Sequence, residues 1–372
     1  MQALANGQIQ ATNMLDQHIA HCLGCQNCER VCPSGVDYGY LLDHSRQLLR
    51  KQNPMHGLRK HISQIGLKLA RHRRGLRYLQ WGIYFYQKTG LQRLFRISGL
   101  LQLLRLKRFD RLLPRITSYQ AFESQYPAVT PSSKGRLGLF IGCTGNLFDQ
   151  STLQQTIRLL QGLGYEVVVP PQQTCCGALH QHQGQLETAN SLAKQNIQAF
   201  AELDTLIYIA SGCGAQLRNY ARLSWPDAHS TEQAKSFSKQ TREITAFLSD
   251  EDLSAFQFRP LNRRVAIHTP CSMRNGLRQL DASATLLANI PQLKTLAIPA
   301  DTGCCGAAGS YMLSQGSLAD AIRQNTLDVI TDFHADIVST TNIGCGLHIH
   351  AGLNNKTSYT HPVSLLVNQI SF

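Results

Sequence analysis

Two kinds of apolar patterning divide the chain. From about residue 55 to 116, Leu94, Ile97, Leu101 and Leu104 recur at three-and-four spacing with Arg93, Arg96 and Arg105 between them. That period predicts amphipathic helix. Beyond residue 134 short apolar runs take over, bounded by polar and glycine-containing stretches. Leu137-Gly138-Leu139-Phe140-Ile141 and Val265-Ala266-Ile267-His268 are expected to be short buried strands, as are 166–169, 206–210 and 337–340. Leu153, Ile157 and Leu160 share one face of the helix expected between the first two strands. Alternating strands and helices point to two α/β units with small parallel sheets. Thr117 to Lys134, with Pro127, Pro131 and Ser132-Ser133, has the composition of a linker.

Composition narrows the class. At 372 residues and 43% hydrophobic, the chain is long enough for two or three globular domains. No run of eighteen apolar residues occurs, so no helix is expected to span a bilayer. The start, Met1-Gln2-Ala3-Leu4-Ala5-Asn6, lacks the basic and apolar regions of a secretory signal, so the expected compartment is the reducing cytoplasm. The net charge of +13 is concentrated. Residues 50–116 carry 17 Lys or Arg against one acid, Asp110, leaving the remainder slightly acidic. A solvated helix face is one meaning of that charge. Docking to an anionic membrane surface or an acidic partner is another. Nucleic acid is not the expected partner, because no reader motif accompanies the charge.

Cysteine placement carries the chemistry. Cys22, Cys25, Cys28 and Cys32, followed by Pro33, read C-x2-C-x2-C-x3-C-P, the bacterial ferredoxin spacing for a 4Fe–4S cluster. Zinc is the competing reading, but it usually takes two separated ligand pairs. The other eight cysteines form two sets in register: Cys143, Cys175, Cys176, Cys213, and Cys271, Cys304, Cys305, Cys345. The gaps are 31 and 36 residues in the first copy and 32 and 39 in the second. A disulfide framework suits adjacent cysteines in register less well than a shared metal does. Each single cysteine is expected just past a strand end, where open α/β sheets collect ligands. Gly177 and Gly306 allow the sharp turn that brings two neighbouring thiolates to one site.

These modules resemble the Cys-Cys-Gly domains of heterodisulfide reductase B subunits, lactate-utilisation proteins and anaerobic glycerol-3-phosphate dehydrogenase C subunits. The nearest likeness is to glycolate oxidase iron–sulfur subunits. It is carried by Cys22 to Tyr40, by Ala210-Ser211-Gly212-Cys213-Gly214-Ala215, and by Thr302 to Tyr311 with Asn342-Ile343-Gly344-Cys345. The resemblance implies a non-flavin oxidoreductase subunit without a catalytic site of its own. It would pass electrons from a flavoprotein that oxidises a 2-hydroxy acid, such as glycolate to glyoxylate, toward the quinone pool. FAD would then sit on the partner, and the chain would lie at the inner face of the cell membrane. Members usually carry two ferredoxin runs, so an upstream run is expected in a longer reading frame. The disulfide reductase form has a fifth cysteine per module, where this chain has Ala210 and Asn342. Four thiolates suit a cubane 4Fe–4S cluster, or zinc in one copy. A thiol–disulfide reductase is therefore the alternative function, and a zinc-holding assembly scaffold a third.

The expected fold class is α + α/β. A helical ferredoxin-type domain (1–54) precedes a basic helical connector and linker (55–134), then the first (135–260) and second (261–372) Cys-Cys-Gly modules. His18 and His21 flank the first run and are expected at the surface. His348 and His350 are read as an ordinary helix face, and His180 and His182 as equally non-committal. Trp81, Tyr84 and Phe85 are expected to pack rather than to form a quinone pocket.

Overall fold

A computed structural model describes residues 1–52, 65–69, 71–104, 106–130, 133–353 and 357–371. The beginning of the connector, Ala70, Arg105 and the Pro131-Ser132 pair of the linker lie outside the described residues. Strands β1 (Gln125–Tyr126), β2 (Gly135–Phe140), β3 (Tyr165–Val168), β4 (Leu206–Tyr208) and β5 (Thr241–Glu243) form one sheet in the order β1-β3-β2-β4-β5. Strands β6 (Arg264–His268), β7 (Lys294–Ala297), β8 (Ile337–Thr340) and β9 (Ser358–Thr360) form a second, ordered β7-β6-β8-β9. All pairs are parallel except β1 with β3, so the two copies share one four-stranded topology. Parallel strands are covered on both faces and so need continuous apolar runs. Leu139, Val167, Ile207, Val265 and Val338 accordingly have no exposed surface. β1 lies within the expected linker, whose Gln125 and Tyr126 pair with Val168 and Val167.

One core cluster spans both sheets, beside a second that belongs to the second copy alone. Leu139 and Leu153 of the first copy, Val265 and Leu286 of the second, and Val363 and Leu366 of the Pro362–Val367 helix lie in one buried cluster. Full burial contributes about 1.5–3 kcal/mol per such side chain, so each copy stabilises the other. His361 fastens the last helix: its Nε2–H donates to Ile209 O at 2.9 Å, and its Nδ1 accepts from Val363 N at 3.2 Å. Burial lowers His361 to about 4, and the bond accepted at Nδ1 requires the neutral ring. The Thr152 and Ser364 hydroxyls meet at 2.6 Å across the same junction.

The connector departs from a single amphipathic helix. The Arg73–Lys88 helix packs Leu76 and Ile83 onto Phe140 and Leu147 of the first copy. Gly90 (φ +79°) and Gly99 (φ +73°) then take left-handed conformations and separate two short helices, Leu91–Ile97 and Leu100–Leu103, ahead of Lys107–Leu112. The expected stripe is broken as a result. Leu101 is buried, whereas Leu94, Ile97 and Leu104 are exposed. Asp110, buried within the connector, accepts from Tyr86 Oη (3.0 Å), Gln92 Nε2 (2.8 Å) and Arg96 Nε (2.6 Å). Arg108 forks onto Asp320 at 2.7 and 3.0 Å, joining the connector to the second copy.

The N-terminal segment contributes the helices Asn13–Ala20, Asn27–Arg30 and Tyr38–Gln52. It rests on both copies. Gln181 Nε2 donates to Asp43 at 2.5 Å, Arg222 pairs with Asp37 at 2.9 Å, and Asn275 Nδ2 donates to Cys25 O at 2.7 Å. Among the described residues, no helix is long and apolar enough to cross a membrane.

Candidate metal centres

In the first copy, β2 ends at Phe140, Gly142 turns the chain (φ +59°), and Cys143 opens the Cys143–Phe148 helix. Cys213 lies in the first turn of Ser211–Asn219, just past β4. The Cys175-Cys176 segment is held by buried side chains that the sequence did not mark. Gln173 accepts from Ile141 N at 2.9 Å and donates to Leu139 O at 3.0 Å. Asn196 accepts from Thr174 N at 2.8 Å and donates to Cys175 O at 3.1 Å. Tyr220 Oη donates to Cys176 O at 2.8 Å and accepts from Asn196 Nδ2 at 3.0 Å.

The four thiols form a continuous chain. Cys143 Sγ is 3.5 Å from Cys175 Sγ, Cys175 contacts Cys176, and Cys176 contacts Cys213. In the second copy the order repeats through Cys271, Cys304, Cys305 and Cys345. Gly177 N and Gly306 N approach Cys175 Sγ (3.5 Å) and Cys304 Sγ (3.4 Å) in turn. Hydrogen bonds from their neighbours hold Cys175 well below the usual thiol range and Cys304 at about 3. Those same bonds, with burial, push Cys143, Cys176, Cys271 and Cys305 up. Protein groups thus favour the thiolate at Cys175 and Cys304 and the thiol at Cys143, Cys176, Cys271 and Cys305. Four apposed thiolates need a shared cation, so the donor chemistry fits a metal group in each copy.

The ferredoxin-spaced run is more open. Cys22 and Cys28 are exposed, and Cys25 and Cys32 half-buried. Gly24 (φ +64°) and Gln26 (φ +57°) bend the backbone around Cys25. Burial raises the Cys25 thiol, and Cys304, Cys22 and Cys28 raise it further. Cys25 also raises Cys271. The run is thus next to the second copy's thiols, although the first copy follows it in sequence.

The two copies meet across a polar seam beside Cys213 and Cys271. Ser211 and Ser272 hydroxyls meet at 2.8 Å, Ser211 N donates to Thr341 O at 2.9 Å, and Asn342 Nδ2 donates to Ser272 Oγ at 3.4 Å. Asn342 also caps its helix by accepting from Gly344 N at 3.0 Å. Arg274 donates to Thr269 O, Ala300 O and Gly303 O, fixing the approach to Cys304.

Other expectations meet mixed outcomes. The basic run is not wholly a solvated or docking face. Arg71 and Arg73 border a small cavity with Cys143 and Cys175, Thr174 Oγ1 donates to Arg71 O at 2.6 Å, and Arg73 donates to Pro170 O at 2.8 Å. Trp81 and Phe85 are exposed (63% and 58%) rather than packed and Tyr84 is half-buried, because the face opposite Leu76 and Ile83 has no partner element among the described residues. His18 and His21 are exposed. His348 is buried, its Nε2 at 3.1 Å from Ala319 O and its carbonyl accepting from Arg323 at 2.7 Å, while His350 is exposed. His180 is buried with Nδ1 at 2.9 Å from the Gln185 amide, and His182 Nδ1 is 3.9 Å from Asp43. His268, read only as a strand residue, joins Cys305 and Cys345 in a buried group whose ligand atoms all lie within 4.8 Å of one another.

Comparison with known proteins agrees with this geometry. The cysteine-rich domain family matches residues 137–218 and 265–350, the two repeated copies. The linker region of glycolate oxidase iron–sulfur subunits matches residues 59–113. A Bacillus subtilis protein named a probable glycolate oxidase iron–sulfur subunit is 31% identical over 99% of this chain and 86% of its own length. The Escherichia coli glycolate oxidase iron–sulfur subunit is 26% identical over 96% of this chain and 83% of its own. Lactate utilization protein A of Geobacillus kaustophilus is 30% identical over 58% of this chain and 90% of its own. With a relative at this identity across nearly all of its length, the chain belongs to the family of glycolate oxidase iron–sulfur subunits, within the oxidoreductases.

Proposed function

We propose that this chain is the electron-carrying subunit of a glycolate oxidase-type complex. It would receive electrons from a flavoprotein that converts glycolate, or a related 2-hydroxy acid, to the oxo acid. FAD and the substrate site would belong to that partner. The supporting observation is the arrangement of twelve cysteines into one surface run and two largely buried four-thiol chains of identical order, the second of them next to the run. Cys22, Cys25, Cys28 and Cys32 would hold a 4Fe–4S cluster. Cys143, Cys175, Cys176 and Cys213 would hold a second metal group, and Cys271, Cys304, Cys305 and Cys345 a third. Such clusters supply one-electron uptake and release. The chain's own residues position the thiolates, bury Cys143, Cys175, Cys176, Cys305 and Cys345, and place Arg71 and Arg73 where positive charge offsets a cluster's negative charge. The exposed run is suited to meet the partner, and the second copy's thiols are next to it.

The same reading puts the complex against a membrane. Tyr78, Trp81, Phe85, Ile97 and Leu103 are exposed beside the exposed cations Arg74, Arg77 and Arg93. Apolar anchors among cations suit the inner, anionic face of the cell membrane and the quinones within it. Nearby, Lys107, Arg108, Arg111 and Arg323 surround a basic cavity partly neutralised by Asp320.

Anaerobic purification with co-expressed partners, followed by addition of glycolate, tests electron entry. Bleaching of cluster absorbance that requires the flavoprotein supports it. If dithionite bleaches the clusters and glycolate with flavoprotein does not, the substrate assignment falls.

A further inference from the structure

The two copies share a topology but differ at the end of their first strand. Phe140 ends β2 and pairs in register with Tyr208 on β4. Its counterpart His268 ends β6 and pairs with Thr340 on β8. Both members of the pair are therefore aromatic in the first copy and polar in the second. In the first copy Phe140 lies in the apolar core near Phe200, with ring centroids 6.3 Å apart. In the second copy His268 is 4% exposed, and its Nδ1 lies 3.0 Å from Thr340 Oγ1. With that hydroxyl accepting from Nδ1–H, the ring is oriented and Nε2 keeps its lone pair. A hydrogen bond to one ring nitrogen is the usual way a metal-ligating histidine is held. The ring's ligand atom and those of Cys305 and Cys345 lie within 4.8 Å of one another, and Cys304 also interacts with it electrostatically.

We propose that His268 Nε2 is a ligand of the second copy's metal centre, making it a mixed imidazole–thiolate site, whereas the first copy's site is all-thiolate. This rests on the reading of the cysteine sets as metal sites. One nitrogen beside the sulfurs suits an iron–sulfur cluster with an imidazole-bound iron, or a four-coordinate zinc ion that takes three of the four thiolates. The two sites would then differ in potential or in metal, so electrons passing through them would meet an asymmetric pair.

The test uses the full chain purified anaerobically with its partners, as wild type, H268F and H268C. The first variant installs the residue of the other copy, and the second restores a donor if the site needs one. Iron and zinc per chain are counted, and nitrogen ligation is read by pulsed EPR of reduced protein carrying 15N-histidine. If zinc is found, zinc-edge absorption is measured as well. A directly bound histidine nitrogen, or a Zn–N shell at about 2.0–2.1 Å, is expected in wild type and lost in both variants. H268F is expected to lose metal from one site, with H268C retaining more of it. A wild-type spectrum showing only sulfur ligands at a fully loaded second site overturns the proposal and leaves the cysteine reading standing. So does a nitrogen signal that survives in H268F. A wild-type chain without metal in that copy overturns both.

Discussion

Glu243 shows how a single residue ties stability to pH. It is fully buried and accepts from Thr245 N at 2.7 Å and Ala246 N at 3.1 Å, capping the Ile244–Ser249 helix. Burial outweighs those bonds and raises its pKa from 4.5 to about 7. A raised folded-state pKa gives stability that is present below pH 4.5 and lost as pH rises through 7. The loss is on the order of 3 kcal/mol at about 1.36 kcal/mol per pKa unit. Denaturant unfolding of wild type and E243Q at pH 5 and 7.5 is expected to show wild type losing stability relative to the variant; parallel changes would contradict it. The twelve cysteines were legible at this scale because their spacing is a local, repeated signal. Asn196 and Tyr220, which clamp Cys175 and Cys176, were not, since their role depends on side chains reaching back from later elements of the chain. His268 was visible only as the last residue of an apolar strand, because its thiol neighbours are 37 and 77 positions away.

At the scale of elements, the two Cys-Cys-Gly turns are alike in sequence and unequal in room. Both glycines have positive φ, +88° at Gly177 and +79° at Gly306, so any side chain is strained in either. A Cβ at Gly306 would lie 2.4 Å from Ala319 O, whereas at Gly177 its nearest neighbour is Ala189 Cα at 3.3 Å. The strain is about 1–2 kcal/mol at each position, and only Gly306 adds a backbone clash. G306A is therefore expected to lower metal retention and thermal stability more than G177A, measured by iron per chain and by melting. Equal effects would show that the Ala319 carbonyl moves freely. Strands and the helix after β2 were readable from apolar runs and a sustained 3.6 period. The connector was less so. Its glycines at 90 and 99 break the period, and nothing local shows which exposed-looking cations, such as Arg73, turn inward to the first thiol set.

Over the whole molecule, the repeat was legible but the shared core was not. Two four-stranded units written in series give no sign that Val363 and Leu366 of the last helix close a core begun at Leu137. The exposed face of the connector belongs to this scale too. Binding to anionic vesicles is expected for the intact complex, weakening with salt. W81A/F85A is expected to bind roughly tenfold less tightly, about 1.4 kcal/mol, with cluster content unchanged. Unchanged vesicle affinity would remove the membrane reading and leave electron transfer untouched.

The most direct measurement is iron and acid-labile sulfide per chain after anaerobic purification, in wild type and in three variants that each replace one cysteine set with serine. About 12 iron atoms are expected if each set holds a 4Fe–4S cluster, with close to a third lost in each variant and the remaining clusters still reducible. Iron confined to the Cys22–Cys32 run, with neither iron nor zinc lost when either buried set is replaced, would contradict the assignment of three metal-holding cysteine sets to this chain.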